Sequence, residues 1–259
     1  TGVGKDIIAN AIHEESNRKS EPFIAINCSS IADSLLQSEL FGHEAGAYTG
    51  ATKAHKGIFQ EAGNGTVFLD EIGDVSSNLQ AALLRVLESG EYRPVGSAKA
   101  RQAHCRIIAA TNAMLESRVD AGTFRLDLLY RLKRLVIQVP PLRERPVDIT
   151  YLAEYFLNLN KDPTNNSVLS SELEKAFLNY SWPGNVRELK NEMEKIRLLH
   201  SGKSFYTLDD AIFLNAKSKT NIISEEPPNL EPKINTEKKT TASREEIFQN
   251  SGSYFRRLE

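Results

Sequence analysis

The stretch GTVFLDEIGD, residues 65–74, contains an apolar run that ends in two adjacent carboxylates. The run from Val67 to Leu69 has no polar residue, which is typical of a strand buried on both faces of a parallel sheet. Asp70 and Glu71 follow the run directly. Because ligands bind at the carboxyl ends of strands in open parallel sheets, this stretch predicts an acidic site at that edge.

Segments of the same kind alternate with amphipathic ones over residues 1–141. Further buried strands are predicted at FIAIN (23–27), RIIAATN (106–112) and LVIQVP (135–140). Helices are predicted at DIIANAIHEES (6–16) and SNLQAALLRVLESG (77–90). Alternation of this kind predicts an α/β fold, a parallel sheet covered by helices.

The strand pattern disappears over residues 145–214, where the apolar spacing is helical. The predicted helices are VDITYLAEYFLNL, SSELEKAFLNY, GNVRELKNEMEKIRLLH and TLDDAIFL. Ser171 with Glu174, and Thr207 with Asp210, fit capping boxes. We therefore predict a second, all-helical unit.

The last part of the chain has a different composition. Residues 216–246 contain no aromatic residue and are rich in Lys, Glu, Asn, Thr, Ser and Pro. Such a segment cannot bury enough apolar surface to offset the entropy of ordering it. We predict a disordered linker at 215–246 and the start of an unidentified C-terminal segment at 247–259.

Composition and charge narrow the class of protein. The chain has 259 residues, 40% hydrophobic and 25% charged, as globular proteins have. A formal net charge of −2 gives no global basic field for nucleic acid. Two cysteines, Cys28 and Cys105, suit a reducing cytosol. No apolar run approaches the length of a membrane span, so we expect a cytoplasmic protein without a membrane partner.

The chain opens with TGVGKD, residues 1–6, whose glycines permit a tight loop. Backbone N–H groups of such a loop can face phosphate oxygens, Lys5 can reach the terminal phosphates, and the following helix adds a favourable dipole. A complete Walker A motif has further glycines, so we expect the start of the motif and a strand to precede Thr1. The alternative is a surface glycine turn before a helix.

Asp70 and Glu71 fit the Walker B role beside such a loop. Asp70 would hold Mg²⁺ through water, and Glu71 would polarise the water that attacks the terminal phosphate. Asn112, at the end of another apolar run, can orient that water or sense the phosphate. The alternatives are an acidic strand cap and a turn-forming asparagine.

Two arginines lie in FRLDLLYRL, residues 124–132. We expect Arg125 and Arg131 on roughly adjacent faces at one end of a helix, where a guanidinium can make forked contacts to phosphate oxygens. The alternative is the commoner one, a solvated or salt-bridged arginine.

A third arginine lies in WPGNVRELKN, residues 182–191. Pro183 and Gly184 predict a turn, Asn185 is a candidate helix cap, and Arg187 falls in the first helical turn. From the helical unit, Arg187 could reach back to a bound nucleotide and report on its phosphates.

The stretch ELFGHEAGAYTGAT, residues 39–52, has almost no side chain with which to fill a core. Gly46 and Gly50 allow backbone conformations that other residues resist. Tyr48 is an aromatic residue of the type that often anchors interfaces, and Thr49 adds a hydroxyl. We interpret the stretch as a movable tip; the alternative is a disordered glycine loop with a partly buried tyrosine.

Taken together, these motifs resemble the AAA+ central domain of bacterial enhancer-binding proteins, the NtrC-like activators of sigma-54 RNA polymerase. The most specific motif of that family is G-A-F-T-G-A, and residues 46–51 read GAYTGA, with Tyr48 in place of the usual Phe. ELFGHE, FLDEIGD, RIIAATN, PPLRER and WPGNVREL also look like family signatures. The resemblance covers residues 1 to about 214. It implies an AAA+ P-loop ATPase core at 1–144, a parallel sheet with helices on both faces, followed by a small all-helical lid at 145–214.

The resemblance also implies roles for individual residues. It places nucleotide binding on Gly2, Val3, Gly4, Lys5, Asp6 and Arg187, the last as sensor II. It places catalysis on Asp70, Glu71, Asn112 as sensor I, the finger arginines Arg125 and Arg131, and Asn27, which switches the glutamate between resting and active positions. The implied magnesium ligands are Asp70 and Asp6. The implied partner contact is Gly46, Ala47, Tyr48, Thr49, Gly50 and Ala51.

The activity implied is hydrolysis of ATP with Mg²⁺ by a ring, typically a hexamer, that remodels the sigma-54 closed complex through the GAYTGA loop. A second surface loop, residues 89–104, moves with the first, and enhancer DNA is bound only through a domain not visible in this chain. One alternative is an AAA+ ATPase with a different client, which Tyr48 and Thr49 disfavour. Another is a non-catalytic DNA-binding regulator, which the intact Lys5, Asp70 and Glu71 disfavour. The scattered histidines do not support a metal enzyme.

Overall fold

The computed structural model describes residues 1–159, 167–200, 202–211 and 214. Helices are α1 Lys5–Glu14, α2 Asp33–Phe41, α3 Ile58–Glu61, α4 Ser77–Ser89, α5 Leu115–Asp120, α6 Leu126–Leu132, α7 Pro146–Asn158, α8 Ser171–Asn179 and α9 Asn185–Leu199. Strands are β1 Phe23–Asn27, β2 Gly42–His43, β3 His55–Lys56, β4 Thr66–Asp70, β5 Glu91–Tyr92, β6 Arg101–Gln102, β7 Arg106–Ala109, β8 Val168–Leu169 and β9 Phe205–Tyr206. Short 3₁₀ turns lie at Ile72–Asp74, Leu142–Glu144 and Leu208–Asp210. The predicted linker at 215–246 and the segment at 247–259 lie outside the described residues.

A parallel three-stranded sheet with the order β1-β4-β7 forms the centre of the first part of the chain. The register pairs Asn27 with Asp70 and Leu69 with Ala109, so the carboxyl ends of all three strands meet at one edge. β4 is the middle strand, and its first four residues are all buried. The predicted parallel sheet is confirmed, and the apolar run of β4 is explained by burial on both faces.

The strand predicted at LVIQVP, residues 135–140, is wrong. This segment has no strand in the structure, and Leu135, Val136 and Ile137 are 78%, 64% and 56% exposed. A strand exists only through hydrogen bonds to a neighbour, and in the described residues none pairs with this segment. Apolar composition alone therefore misassigned it.

The first hydrophobic core packs α4 and other helices around β4. Leu79, Leu83 and Val86 recur at helical spacing on α4 and are all buried. Gly90, with φ of 74°, ends the helix in the left-handed conformation that glycine adopts at low cost. Burial of one such leucine contributes about 1.5–3 kcal/mol, so this stripe fixes α4 against the sheet.

A second, separate core is built from α7, α8 and α9. Trp182 is fully buried there, and its Nε1 donates to the carbonyl of Phe177 at 2.8 Å. The predicted helices α7, α8 and α9 are present. A two-residue parallel pairing of β8 with β9 accompanies them and was not predicted, because segments this short carry no readable alternation.

The helix caps follow the predictions in part. Thr207 and Asp210 form the predicted capping box, although on a 3₁₀ turn rather than a long helix. The box predicted at Ser171 is wrong, since Ser170 is the cap and its hydroxyl accepts from the N–H of Leu173 at 3.2 Å. Two adjacent serines made the register ambiguous, and only backbone geometry distinguishes them.

Candidate functional site

Lys5, Asp70 and Glu71 lie together at the carboxyl edge of the sheet. Lys5 Nζ is 3.3 Å from Glu71 Oε1 and 3.9 Å from Asp70 Oδ1. The three side chains are 18%, 27% and 14% exposed in the order Lys5, Asp70, Glu71. Asp70 is the last residue of β4, Glu71 follows it, and Lys5 is the first residue of α1. The ammonium group is therefore shared between two carboxylates, and a phosphate would compete with them for it.

The backbone holds Glu71 in an unusual conformation. Its φ of 54° and ψ of 44° are left-handed, which costs a non-glycine residue free energy and persists only where the surroundings enforce it. The backbone N–H of Ile72 donates to the carbonyl of Ala110 at 3.0 Å, and that of Asn112 donates to Glu71 Oε2 at 3.1 Å. Glu71 is thus directed toward Lys5 and the end of β7.

The loop before α1 presents a row of unpaired amides. Gly2 and Gly4 have φ of 71° and 96°. The N–H groups of Gly2, Val3 and Gly4 find no acceptor among the described residues, and the first bond at the start of α1 runs from Ile8 N to Gly4 O at 3.2 Å. Free amides at the N-terminus of a ten-residue helix form a favourable site for an anion.

The two asparagines lie at the same edge with different partners. Asn27 Nδ2 donates to Asp70 Oδ2 at 3.4 Å, and its Oδ1 accepts from the N–H and the hydroxyl of Ser29 at 2.9 and 2.8 Å. In this structure Asn27 therefore contacts Asp70, not Glu71. Asn112 reaches Glu71 through its backbone, and its own side chain is exposed.

The second core brings Arg187 to the same loop. Its backbone N–H donates to the carbonyl of Gly2 at 3.3 Å. Its guanidinium is exposed and makes no hydrogen bond or ion pair within the described part of the chain. An open groove of about 340 Å³ lies here, lined by Thr1, Pro183, Gly184, Arg187, Glu188, Asn191, Glu192 and Lys195. An uncommitted arginine at an open groove suits the binding of an anion.

The acidic residues fit a magnesium ion only with help from a substrate. Asp70 accepts from Glu71 N at 3.1 Å and weakly from Asn27, so lone pairs remain on its carboxylate. In the ranges that the structure describes, no group of three or more His, Cys, Asp or Glu is arranged to hold a metal. Mg²⁺ is usually bound by one or two carboxylates plus waters and phosphate oxygens, which this set permits. Asp6 is exposed and is not brought into contact with Asp70.

Arg125 and Arg131 do not lie at one end of a helix, which corrects the sequence expectation. α6 begins only at Leu126, so Arg125 precedes it and Arg131 lies in its last turn, roughly 9 Å further along the axis. Arg125 is paired through Nη2 with Asp127 at 2.7 Å, and Arg131 through Nε with Glu88 at 3.4 Å. The hydrogen bond from Arg125 lowers the pKa of Asp127. Neither arginine joins the Lys5 cluster.

Residues 44–54 form a compact loop that closes the β2–β3 hairpin. Gly46 N donates to Ala51 O at 2.7 Å, and Ala51 N donates to Tyr48 O at 3.0 Å. Gly46 and Gly50 have φ of 82° and 103°, as glycine permits. Tyr48 is 42% exposed, and its ring lies edge-on to His43 with 5.1 Å between centroids. The loop thus presents one aromatic ring from a folded tip.

The root of this loop is closed by two glycines. A Cβ on Gly57 would lie 2.2 Å from Gly42 N and 2.4 Å from the carbonyl carbon of Phe41. Gly42 has φ of 79°, and a Cβ there would lie 2.5 Å from the carbonyl oxygen of His55. The end of α2 and the start of α3 can approach this closely only because neither glycine has a side chain.

The second surface loop, residues 89–104, contacts the first directly. Val95 N donates to Gly42 O at 2.8 Å, and Glu44 N donates to Val95 O at 3.0 Å. Arg101, on β6, pairs with Glu44 at 3.3 Å and also bonds to Gln60. Backbone and side-chain contacts therefore join the two loops into one surface.

Cys28 lies beside the site but is not a reactive nucleophile. It is 3% exposed and its backbone N–H donates to Asp70 O at 2.9 Å. Burial, followed by the charge of Asp70, raises the pKa of its thiol to about 12. The thiolate, which is the reactive form, is therefore absent near neutral pH.

Sequence reasoning missed Arg145 and misjudged Asn185. Arg145 Nη2 donates to the carbonyl of Val3 at 2.7 Å. Asn185 begins α9, but its side chain bonds to Thr1 O at 3.0 Å and to Leu142 N at 2.8 Å instead of capping the helix. The available signals were an arginine directly before a helix-starting proline, and an asparagine after Pro-Gly, a residue type that tolerates positive φ.

Two known families match the chain. Residues 1–138, more than half of it, match the family described as "Sigma-54 interaction domain". Residues 143–222 match the family described as "AAA+ ATPase lid domain". No helix within the described ranges has both the length and the apolar character needed to cross a membrane.

Curated proteins with similar sequences are transcriptional regulators. The chain is 42% identical over 251 residues to the Nif-specific regulatory protein of Azotobacter vinelandii, covering 96% of this chain and 47% of that protein. It is 48% identical over 214 residues to the Psp operon transcriptional activator of Escherichia coli strain K12, covering 82% of this chain and 66% of that protein. The chain thus spans about half the length of the first of these relatives.

Solved structures show the same fold. NtrX from Brucella abortus in complex with ATP matches with a TM-score of 0.75 and 31% identity, over 88% of this chain and 50% of that one. The same protein in complex with ADP matches with a TM-score of 0.76 and 30% identity, over 87% and 52%. With the geometry of the Lys5 cluster and the GAYTGA hairpin, these matches show that the chain belongs to the sigma-54 interaction domain family of AAA+ transcriptional activators.

Proposed function

We propose that this chain hydrolyses ATP and uses the reaction to remodel the closed complex of sigma-54 RNA polymerase in the cytoplasm. The observation that carries the ATPase is the contact of Lys5 with Glu71 and Asp70 beside a loop of unpaired amides. Phosphoryl transfer needs a positive charge to bind phosphate, a carboxylate to hold the metal ion and a base to accept a proton from water, and Lys5, Asp70 and Glu71 can supply these in that order. The family match supports the partner.

The residues divide the chemistry between them. The amides of Gly2, Val3 and Gly4 and the ammonium of Lys5 bind the phosphates of ATP. Asp70 would hold Mg²⁺, which supplies charge neutralisation at the phosphate oxygens when it is bound. When a phosphate of ATP replaces Glu71 as the partner of Lys5, the Glu71 carboxylate is free to accept a proton from the attacking water.

Four further residues complete the proposed site. Asn112 lies next to Glu71 and orients the water. Asn27, which contacts Asp70 here, changes partner to Glu71 when the site is engaged. Arg187 contacts phosphate from the lid, and Asp6, in the first turn of α1, adds a second carboxylate near the metal.

Ring assembly would complete the site from a neighbouring subunit. We infer a hexamer in which Arg125 and Arg131 of one subunit contact the phosphates bound by the next. Their present partners, Asp127 and Glu88, are about half exposed, as carboxylates in weak surface pairs are. Such pairs exchange readily for a phosphate at an interface.

The loop at residues 46–51 is the proposed contact with sigma-54. Tyr48 supplies an exposed aromatic ring, and Thr49 supplies a hydroxyl next to it. The loop lies on a hairpin joined to the second surface loop, so a displacement of one would move the other. Contact with enhancer DNA is assigned to a domain outside this chain.

Substitutions of Tyr48 test the partner directly. Tyr48→Ala should keep ATP hydrolysis near the normal rate but lose retention of sigma-54 on a sizing column with a transition-state mimic of ATP. An anchor of this type is worth on the order of 2 kcal/mol or more, about a thirtyfold loss of affinity. Tyr48→Phe should keep both activities.

Tyr151→Ala provides the matched control, because Tyr151 is an exposed tyrosine on α7. It should change neither hydrolysis nor retention of sigma-54. Full binding of sigma-54 by Tyr48→Ala would refute the assignment of the loop. Absence of ATP hydrolysis in the protein extended to include the start of the Walker A motif would refute the ATPase.

A further inference from the structure

Three donors from the second core bind three consecutive carbonyls of the loop before α1. Asn185 Nδ2 donates to Thr1 O at 3.0 Å, and the backbone N–H of Arg187 donates to Gly2 O at 3.3 Å. Arg145 Nη2 donates to Val3 O at 2.7 Å, the shortest of the three. The carbonyls of Thr1, Gly2 and Val3 are thereby all held by residues of the second core.

These contacts also fix the direction of the loop's N–H groups. A peptide unit is planar and trans, so its carbonyl and its N–H point in opposite directions. Holding the carbonyls of residues 1, 2 and 3 toward the second core therefore turns the N–H groups of Gly2, Val3 and Gly4 to the other side. These are the amides that have no acceptor among the described residues.

The Arg145 side chain is mostly shielded from solvent and is held by two partners. Its side chain is 23% exposed, and Nη1 lies 3.4 Å from Asp148 Oδ2 within α7. Pro146 follows it as the first residue of α7, so Arg145 is the residue directly before the helix. Nη1 thus pairs with Asp148 on α7 while Nη2 reaches Val3.

Asn185 is equally constrained. It is 6% exposed, and its φ of 55° is a left-handed value that asparagine tolerates better than most residues. Its Oδ1 accepts from Leu142 N at 2.8 Å, so the amide is held at both ends. The orientation of the donor toward Thr1 is therefore fixed by the second core.

Gly2 allows the two parts to approach. A Cβ at this position would lie 2.6 Å from the carbonyl oxygen of Gly184 and 3.0 Å from Arg187 Cβ. The loop and the start of α9 are consequently in direct backbone contact, with no side chain between them.

We propose that Arg145 and Asn185 are positioning residues for nucleotide binding, which hold the peptide planes of residues 1–3 so that their amides converge on phosphate. The proposal rests on the proposed function, since it needs a nucleotide at this loop. The lid would then act on the phosphates indirectly, by holding the carbonyls of residues 1–3, which face away from the phosphates. This effect is separate from any direct contact of Arg187 with phosphate. By linkage, bound nucleotide should in turn hold the lid in place.

Equilibrium binding of a fluorescent N-methylanthraniloyl ATP to the purified protein tests the role of Arg145. Arg145→Gln should weaken binding about tenfold, which corresponds to about 1.4 kcal/mol, because a charge-assisted bond to Val3 is lost. Arg145→Lys keeps a cationic donor and should recover most of the affinity. In steady state, the loss should raise KM for ATP more than it lowers kcat.

Two matched controls separate this role from general effects on α7. Asp148→Asn removes the ion pair within α7 but leaves the bond to Val3, and it should change affinity less than twofold. Arg143→Gln removes an exposed arginine from the same PPLRER stretch, and it should be equally silent.

Asn185→Asp tests the same role independently if the Arg145 variants fold poorly. The aspartate preserves the acceptor for Leu142 N but cannot donate to Thr1 O, so we again expect about tenfold weaker binding. Unchanged affinity in both Arg145→Gln and Asn185→Asp, with normal binding by the unchanged protein, would overturn the positioning role alone. An equal loss in Asp148→Asn would also overturn it. All variants are made in the protein extended to include the start of the Walker A motif. Failure of that protein, without substitutions, to bind the probe would overturn the proposed function and this inference with it.

Discussion

Replacing Glu71 by Gln should separate ATP binding from hydrolysis. In the structure, Glu71 accepts from Lys5 Nζ at 3.3 Å and from Asn112 N at 3.1 Å. These donors bind different oxygens of the carboxylate, and glutamine has an acceptor oxygen at only one of the two positions, so in this geometry it can accept from only one of them. It also loses the basicity needed to take a proton from water.

The two effects differ in size. Loss of a general base lowers turnover about 10²–10⁴-fold, which is roughly 2.7–5.4 kcal/mol of barrier. Binding should not weaken, because Lys5 loses one of the two carboxylates that compete with phosphate for its ammonium group. Lys5 keeps Asp70, 3.9 Å away, as its remaining partner. We therefore expect Glu71→Gln to bind ATP at least as tightly as the unchanged protein.

Phosphate release under single-turnover conditions measures the first effect, and equilibrium binding of a fluorescent ATP measures the second. Glu61→Gln, an exposed acid on α3, serves as the control and should change neither. Hydrolysis by Glu71→Gln at the normal rate would refute the assignment of the base. Binding weakened more than tenfold would refute the competition between Glu71 and phosphate for Lys5.

Three further predictions concern assembly, the loop root and the buried thiol. Arg131→Ala should lower turnover about 10³–10⁵-fold, as loss of an arginine finger does. Mixing this variant with Lys5→Ala subunits should recover some activity. If mixed rings form but no activity returns, Arg131 does not act on the neighbouring subunit. Gly57→Ala should lower the free energy of unfolding, measured by urea titration, by about 2 kcal/mol or more, because its Cβ would overlap backbone atoms. Gly63→Ala, where a Cβ would meet open space, should cost only about 1–2 kcal/mol, for its left-handed φ of 52° alone. Equal losses in the two variants would refute the steric reason. Cys28, with its pKa raised to about 12, should resist iodoacetamide at pH 8 until the protein is unfolded, as mass spectrometry of the labelled peptide would show; fast labelling of the native protein would contradict its burial.

The sequence predicts best where a structure depends on local periodicity. α1, α4 and β4 follow from apolar spacing and from the residues at their ends. LVIQVP failed because a strand requires a neighbour, and no local pattern reports one. The acidic edge was predictable because Asp70 and Glu71 directly follow the apolar run of β4, and ligands bind at the carboxyl ends of parallel strands.

Contacts over long sequence separation could not be predicted. Arg145 binds a carbonyl 142 positions away, and Asn185 binds one 184 positions away. Carbonyls are present at every residue, so no residue type marks Thr1 or Val3 as an acceptor. The ends of α6 were likewise unreadable, and this placed Arg125 and Arg131 wrongly. Only the packing of the second core against the loop decides which backbone groups meet.

The glycine pair at the root of the hairpin, Gly42 and Gly57, determines how the loop at 44–54 can travel. Backbone atoms in contact cannot move closer, and the flanking α2 and α3 are packed in the first core. If the tip moves during hydrolysis as proposed, the root would therefore be the fixed point of that movement. A pair of spin labels across the root should report one constant distance through a catalytic cycle, while a label at the tip changes position. An insertion between Gly46 and Gly50 would lengthen the part of the loop beyond this fixed point, whereas the same insertion beside Gly57 would remove the backbone contact that fixes it.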